Sequence, residues 1–108
     1  MNLSKKNICT VSLLISTKNR LQDLQECINS VLIQSVKPDE VILVDASDTS
    51  ESMEMVKESL AATGIKLTYH RQEVISGKIR KTATWNKAVK LAIGDIIIFL
   101  DDDVVLNK

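Results

Sequence analysis

Apolar and polar positions change period several times along this chain. Residues 11–15 (Val-Ser-Leu-Leu-Ile) make a short apolar run of strand length. Leu21, Leu24, Ile28 and Val31 then recur at the spacing of one helix face. Asn19 with Gln22 has capping-box spacing at the start of that helix, and Pro38 stops it before the next run. Residues 41–44 (Val-Ile-Leu-Val) are unbroken and apolar, which predicts a strand buried on both faces. Asp48 with Glu51 repeats the capping box, Met53, Val56 and Leu60 line a second helix, and Gly64 stands where a C-cap belongs. Ile65, Leu67 and Tyr69 alternate with polar residues, as in a strand with one more open face. Ala83, Trp85, Ala88, Val89 and Ala92 support a third helix ending at Gly94. Residues 96–100 (Ile-Ile-Ile-Phe-Leu) are the most apolar strand.

The predicted order is βαβαβαβ. Such alternation specifies a Rossmann-like α/β fold with a mostly parallel, four-stranded sheet and helices on both faces. Ligands of these sheets bind outside the carboxyl ends of the strands, near a switch in strand order. The residues following Ile15, Val44, Tyr69 and Leu100 are therefore expected to converge on one rim.

Composition narrows the function classes. The chain has 108 residues, of which 44% are hydrophobic and 26% charged, so it can fold as one domain with a core. Fourteen basic and fourteen acidic residues give zero formal net charge, which removes the electrostatic case for a nucleic-acid binder. Three aromatic residues are too few for a base-stacking surface. Cys9 and Cys27 form no disulfide framework or zinc site and read as buried thiols of a reducing compartment. Lys5 and Lys6 before an apolar run imitate a signal peptide, but Ser and Thr interrupt the run and Lys18, Asn19 and Arg20 follow it. No run is long enough for a transmembrane helix, so the expected place is the cytoplasm, with room for peripheral contact with the inner face of a membrane.

The rim carries the candidate chemistry. Asp101, Asp102 and Asp103 end an apolar strand, and alternation lets Asp101 and Asp103 share a face. Two such carboxylates suit a hard divalent cation, or else form a solvated acidic turn. Between residues 74 and 94 there is no acid, whereas Lys78, Arg80, Lys81, Lys87 and Lys90 are all present. Lys87 and Lys90 read as a solvated helix face; Lys78, Arg80 and Lys81 read equally as a phosphate site. A basic loop and an acidic strand end on one rim suggest a metal-bridged pyrophosphate. Asp45 ends a buried strand, where it can accept from a base or ribose or cap the next helix. His70 reads as a strand residue without catalytic duty, and Trp85 as core.

Residues 11–20, 41–47 and 94–104 resemble, in order, the opening strand, the second strand with its acidic end, and the DxD-bearing strand of family 2 glycosyltransferases, which have the GT-A fold. The resemblance implies an N-terminal nucleotide-diphosphate-sugar site, with a UDP-sugar the leading candidate. It places Ser16 and Thr17 beside the nucleoside, Asp45 near the base, and Asp101 and Asp102 at the nucleotide. Asp101 and Asp103 would hold Mn²⁺ or Mg²⁺ on the pyrophosphate. Ala46 stands where many members have a second acid, and Trp85–Asn86 where an Arg-Asn pair is usual, so Arg80 is the substitute basic residue.

The resemblance also implies an unknown glycan or lipid-linked acceptor and a general base from later in the chain. Residues 1–108 then read as a single, truncated donor-binding domain whose last strand is covered by a second copy or by further chain. A nucleotide-binding module without transfer activity is the alternative. An aspartate-based phosphoryl-transfer domain ranks below both, because Ser16 and Thr17 stand where its acid is needed.

Overall fold

A computed structural model describes residues 9–72, 74–75, 77–79 and 81–107. The elements run β1 (Val11–Thr17), α1 (Leu21–Leu32), β2 (Glu40–Asp45), α2 (Glu51–Leu60), β3 (Lys66–Arg71), β4 (Val74–Ile75), β5 (Lys78–Ile79), α3 (Lys81–Leu91) and β6 (Ile96–Asp101). Four of the strands form one parallel sheet in the order β3-β2-β1-β6. The α/β reading of the sequence holds. The connection through α3 returns the chain to the far side of β1, so the order switches between β1 and β6. The short β4–β5 hairpin lies in what the sequence suggested was a plain loop, and Gly77 turns it with φ 75°.

The two-faced strands explain two apolar layers. Leu13 and Ile15 of β1 and Val41 and Leu43 of β2 face α1 and α2, packing on Leu24, Ile28, Val31, Val56 and Leu60. The alternate residues Leu14, Ile42 and Val44 face the other way, onto Ala88 and the partly buried Trp85. Trp85 is therefore core, and its ring lies 5.3 Å from that of Phe99. Burying a side chain of this size contributes about 1.5–3 kcal/mol, which is why an unbroken apolar run resists exposure on either face.

Three local expectations change. Neither capping box forms: the N-cap residues are Arg20 and Ser50, without side-chain cap bonds. Cys27 is buried but Cys9 is exposed. Gly94 does not cap α3, which ends at Leu91; a Cβ there would lie 2.5 Å from the Ser12 amide nitrogen, so glycine serves close approach. Among the described residues, β6 has a strand neighbour on one side only, and Ile96, Ile98 and Phe99 are exposed. No helix among them is long and apolar enough to cross a membrane.

Candidate functional site

A cleft of about 440 Å³ opens at the carboxyl ends of the strands, next to the switch between β1 and β6. Ser16 and Thr17 from β1, Asp101 from β6, and Asp102 and Asp103 beyond it all line the cleft. Parallel pairing places Ser16 directly beside Asp101. The convergence expected of these residues is present.

The aspartate triplet divides by alternation. Asp101 and Asp103 are exposed while Asp102 is buried. Thr17 Oγ1 donates to Asp102 Oδ2 at 2.9 Å. Arg20 Nη1 lies 3.4 Å from Asp102 Oδ1 and 3.8 Å from Asp103 Oδ2. Asp102 thus has its charge matched by the protein. Asp101 and Asp103 keep oxygens free for solvent or a ligand. Beneath them Cys27 Sγ points at the Asp101 carbonyl oxygen, 3.8 Å away. Burial, together with the charges of Asp102 and Asp103, pushes that thiol up to about 11, so it stays protonated and unreactive.

Asp45 reaches the rim but turns inward, with no exposed surface. Its Oδ1 accepts the Ser47 amide at 2.8 Å, its Oδ2 accepts the Tyr69 hydroxyl at 2.9 Å, and Arg71 Nη1 lies 3.8 Å from Oδ2. Burial lifts the Tyr69 phenol above its ordinary range, so the hydroxyl remains a donor. His70 sits on β3 with a buried Nε2 that has no hydrogen-bond partner. Burial, aided by Lys87, holds its pKa below the usual value, so it is neutral.

Lys18 and Arg20, on the expected rim but given no role by the sequence, line the cleft, as does Gln72, which the sequence did not single out. Of the basic residues singled out, Lys78 is exposed on the hairpin, Lys87 and Lys90 are exposed on α3 as expected of a solvated face, and Arg80 lies outside the described residues. Arg20 is aimed by a clamp between the β1–α1 and β2–α2 loops. Asn19, at φ 52°, donates its amide N–H to Ser47 Oγ at 2.9 Å and its side-chain nitrogen to Asp48 Oδ2 at 3.0 Å. Asp48 N–H returns a bond to Asn19 Oδ1 at 2.9 Å. The two supposed caps bind each other, a pairing 29 residues apart that local spacing does not signal. Gln72 donates its backbone N–H to the Asp45 carbonyl at 2.8 Å and its Nε2 to Thr84 Oγ1 at 3.1 Å.

Comparison with known proteins places this geometry. Residues 12–108 match the profile of Glycosyl transferase family 2. The putative colanic acid biosynthesis glycosyl transferase WcaA of Escherichia coli K12 is 35% identical over 91% of this chain and 34% of its own length. The Pyrobaculum calidifontis mannosyltransferase PcManGT, solved with GDP-Man and Mn²⁺, superposes with a TM-score of 0.73 at 22% identity, over 93% of this chain and 29% of that one. The Mycobacterium tuberculosis glucosyl-3-phosphoglycerate synthase, solved with Mn²⁺, UDP and phosphoglyceric acid, gives 0.59 at 21% identity, over 94% of this chain and 36% of that one. The chain spans between 15% and 34% of the curated relatives it matches. A profile covering nearly the whole chain and a shared GT-A sheet leave one assignment: the chain belongs to glycosyltransferase family 2, as an N-terminal part of that enzyme fold.

Proposed function

We propose that this chain binds the nucleotide-diphosphate sugar donor of a glycosyl transfer, a UDP-sugar in the first instance, with a divalent cation on the diphosphate. The observation that carries the reading is the meeting of Ser16, Asp101 and Asp103 in one cleft at the strand-order switch. The exposed carboxylates of Asp101 and Asp103 are hard oxygen donors, too few to enclose a cation alone. Among the described residues no group of three or more His, Cys, Asp or Glu is placed to do so. That donor set fits Mn²⁺ or Mg²⁺ shared with substrate phosphate oxygens. When bound, the cation supplies Lewis-acid stabilisation of the leaving diphosphate.

The residues divide the work. Asp103 and Asp101 bind at the charged end, and Asp101 and Ser16 face the ribose. Thr17 and Arg20 hold Asp102 and, through it, the turn that presents its neighbours. Lys18, with Arg20 and with Arg80 from the segment before α3, adds positive charge for the diphosphate. Asp45 shapes the base end by fixing Tyr69 and the Ser47 amide. The acceptor, a glycan or lipid-linked group, and the general base lie outside these residues, in keeping with the fraction of its relatives that the chain spans. We read the chain as one donor-binding domain acting in the cytoplasm, peripheral to a membrane. Calorimetric titration with UDP-sugar tests this: tight binding with Mn²⁺ and weak binding with chelator are expected. Equal binding in both removes the metal from the reading.

A further inference from the structure

We propose that Gln72 reads the nucleobase and sets which nucleotide the donor carries. The inference rests on the nucleotide-sugar reading above. The sheet itself acts as a ruler. Strands lie about 4.8 Å apart, so the end of β3 is about 14 Å from the end of β6 across the order β3-β2-β1-β6. A nucleoside diphosphate whose charged end sits on Asp101 and Asp103 crosses Ser16 and Thr17 of β1. It then reaches Val44 and Ala46 at the end of β2, and Gln72 just past β3.

The chemistry at that far end suits a heteroaromatic ring. Val44 and Ala46 offer an apolar wall, and Ala46 is small enough to let a flat ring approach. The Asp45 carboxylate is turned inward onto Ser47 and Tyr69 and does not line the cleft. Gln72 does line it, and an amide carries a donor and an acceptor side by side, which is what a base edge presents in return.

The amide is also held in place. Gln72 is only 7% exposed, its backbone N–H is tied to β2 through the Asp45 carbonyl, and its Nε2 is tied to α3 through Thr84 Oγ1. A fixed, buried amide discriminates by leaving its polar atoms unpaired when the wrong base edge is offered. A mobile surface side chain would adapt and select little.

The test is titration of the 108-residue chain, with Mn²⁺ present, against UDP, GDP, ADP and inorganic pyrophosphate. The wild type is expected to prefer one nucleoside diphosphate. Gln72→Leu should weaken that ligand at least tenfold and bring the nucleotides to within about threefold of one another. Pyrophosphate affinity should stay within twofold. Gln72→Glu keeps the shape and the fold but replaces the donor with an acceptor, and it should change the order of preference. Circular dichroism melts confirm that each variant is folded. An unchanged ratio between nucleotides in the folded Gln72→Glu variant overturns the proposal, as does a loss shared equally with pyrophosphate. If the wild type binds no nucleoside diphosphate, the donor-binding reading itself fails. If it binds them all without preference, only the role of Gln72 falls.

Discussion

Glu40 and the pair Asp101 and Asp103, at opposite ends of this sheet, hold the same chemical group in opposite ways. At the amino end, Glu40 begins β2 with a fully buried carboxylate. Ser12 Oγ donates to its Oε1 at 2.7 Å, the Ile93 amide donates to the same oxygen at 3.0 Å, and Thr68 Oγ1 donates to Oε2. Ser12 Oγ in turn accepts the Gly94 amide at 2.8 Å. At the carboxyl end, Asp101 and Asp103 are exposed and keep unfilled oxygens. A carboxylate whose acceptors are filled by its own fold can bind nothing else and stabilises. A carboxylate left open at a strand end costs the fold little and is available to a ligand. The difference separates structural acids from candidate site acids without reference to sequence motifs.

The largest effect that would break this contrast is at Glu40. Glu40→Ala leaves three donors without their acceptor, one buried and two part-buried; a buried one costs about 1–3 kcal/mol, and we expect a total near 3–5 kcal/mol in urea unfolding. A loss below about 1 kcal/mol would mean that the amino-end acid is no more structural than its counterparts. Next is Asp103→Ala, expected to leave unfolding within about 0.5 kcal/mol while weakening Mn²⁺-dependent UDP binding about a hundredfold. A drop in stability with unchanged binding would reverse the assignment of the two ends.

Acid titration sharpens the same contrast. Burial alone would raise the Glu40 pKa, but the bonds from Thr68, Ser12 and the Ile93 amide, with Lys66 nearby, outweigh it and hold the group below its ordinary value of 4.5. Its stabilisation is therefore complete above the unfolded pKa and is lost as pH falls through the lower, folded pKa. Unfolding free energy should decline below about pH 4.5 in the wild type, and less steeply in Glu40→Gln. Equal slopes would place the titrating acid elsewhere. The smallest effect concerns the loop clamp. Asn19→Ala should cost about 1 kcal/mol and weaken nucleotide binding a few-fold, because Arg20 loses its fixed point of departure. Chemical denaturation and titration on one preparation measure both.

Much of this was legible from residue order. Residues 41–44 are apolar at every position, so the strand had to be buried on both faces, and the sheet followed from that. Asp101 and Asp103 stood out because acids closing an apolar strand have no core role. Arg20 and Gln72 gave no such signal. Each is an ordinary polar residue whose meaning comes from partners far along the chain: Asp102 for Arg20, and the Asp45 carbonyl and Thr84 for Gln72. Asn19 and Asp48 misled for the same reason, since each had a local use as a cap and a stronger distant one in the other. Gly94 looked like a helix stop, and its closeness to Ser12 depends on β6 lying beside β1.

The bond between Thr17 and Asp102 joins residues 85 positions apart. Closing so long a loop is entropically slow and is repaid only when β6 docks. The β1–β6 pairing spans the longest stretch of chain in the sheet, and the cleft exists only once that pairing is made. A ligand that bridges β1 and β6 binds only molecules that have completed that step, and it draws the population toward them by mass action. A ligand held across that pairing would report finished folding as well as recognition.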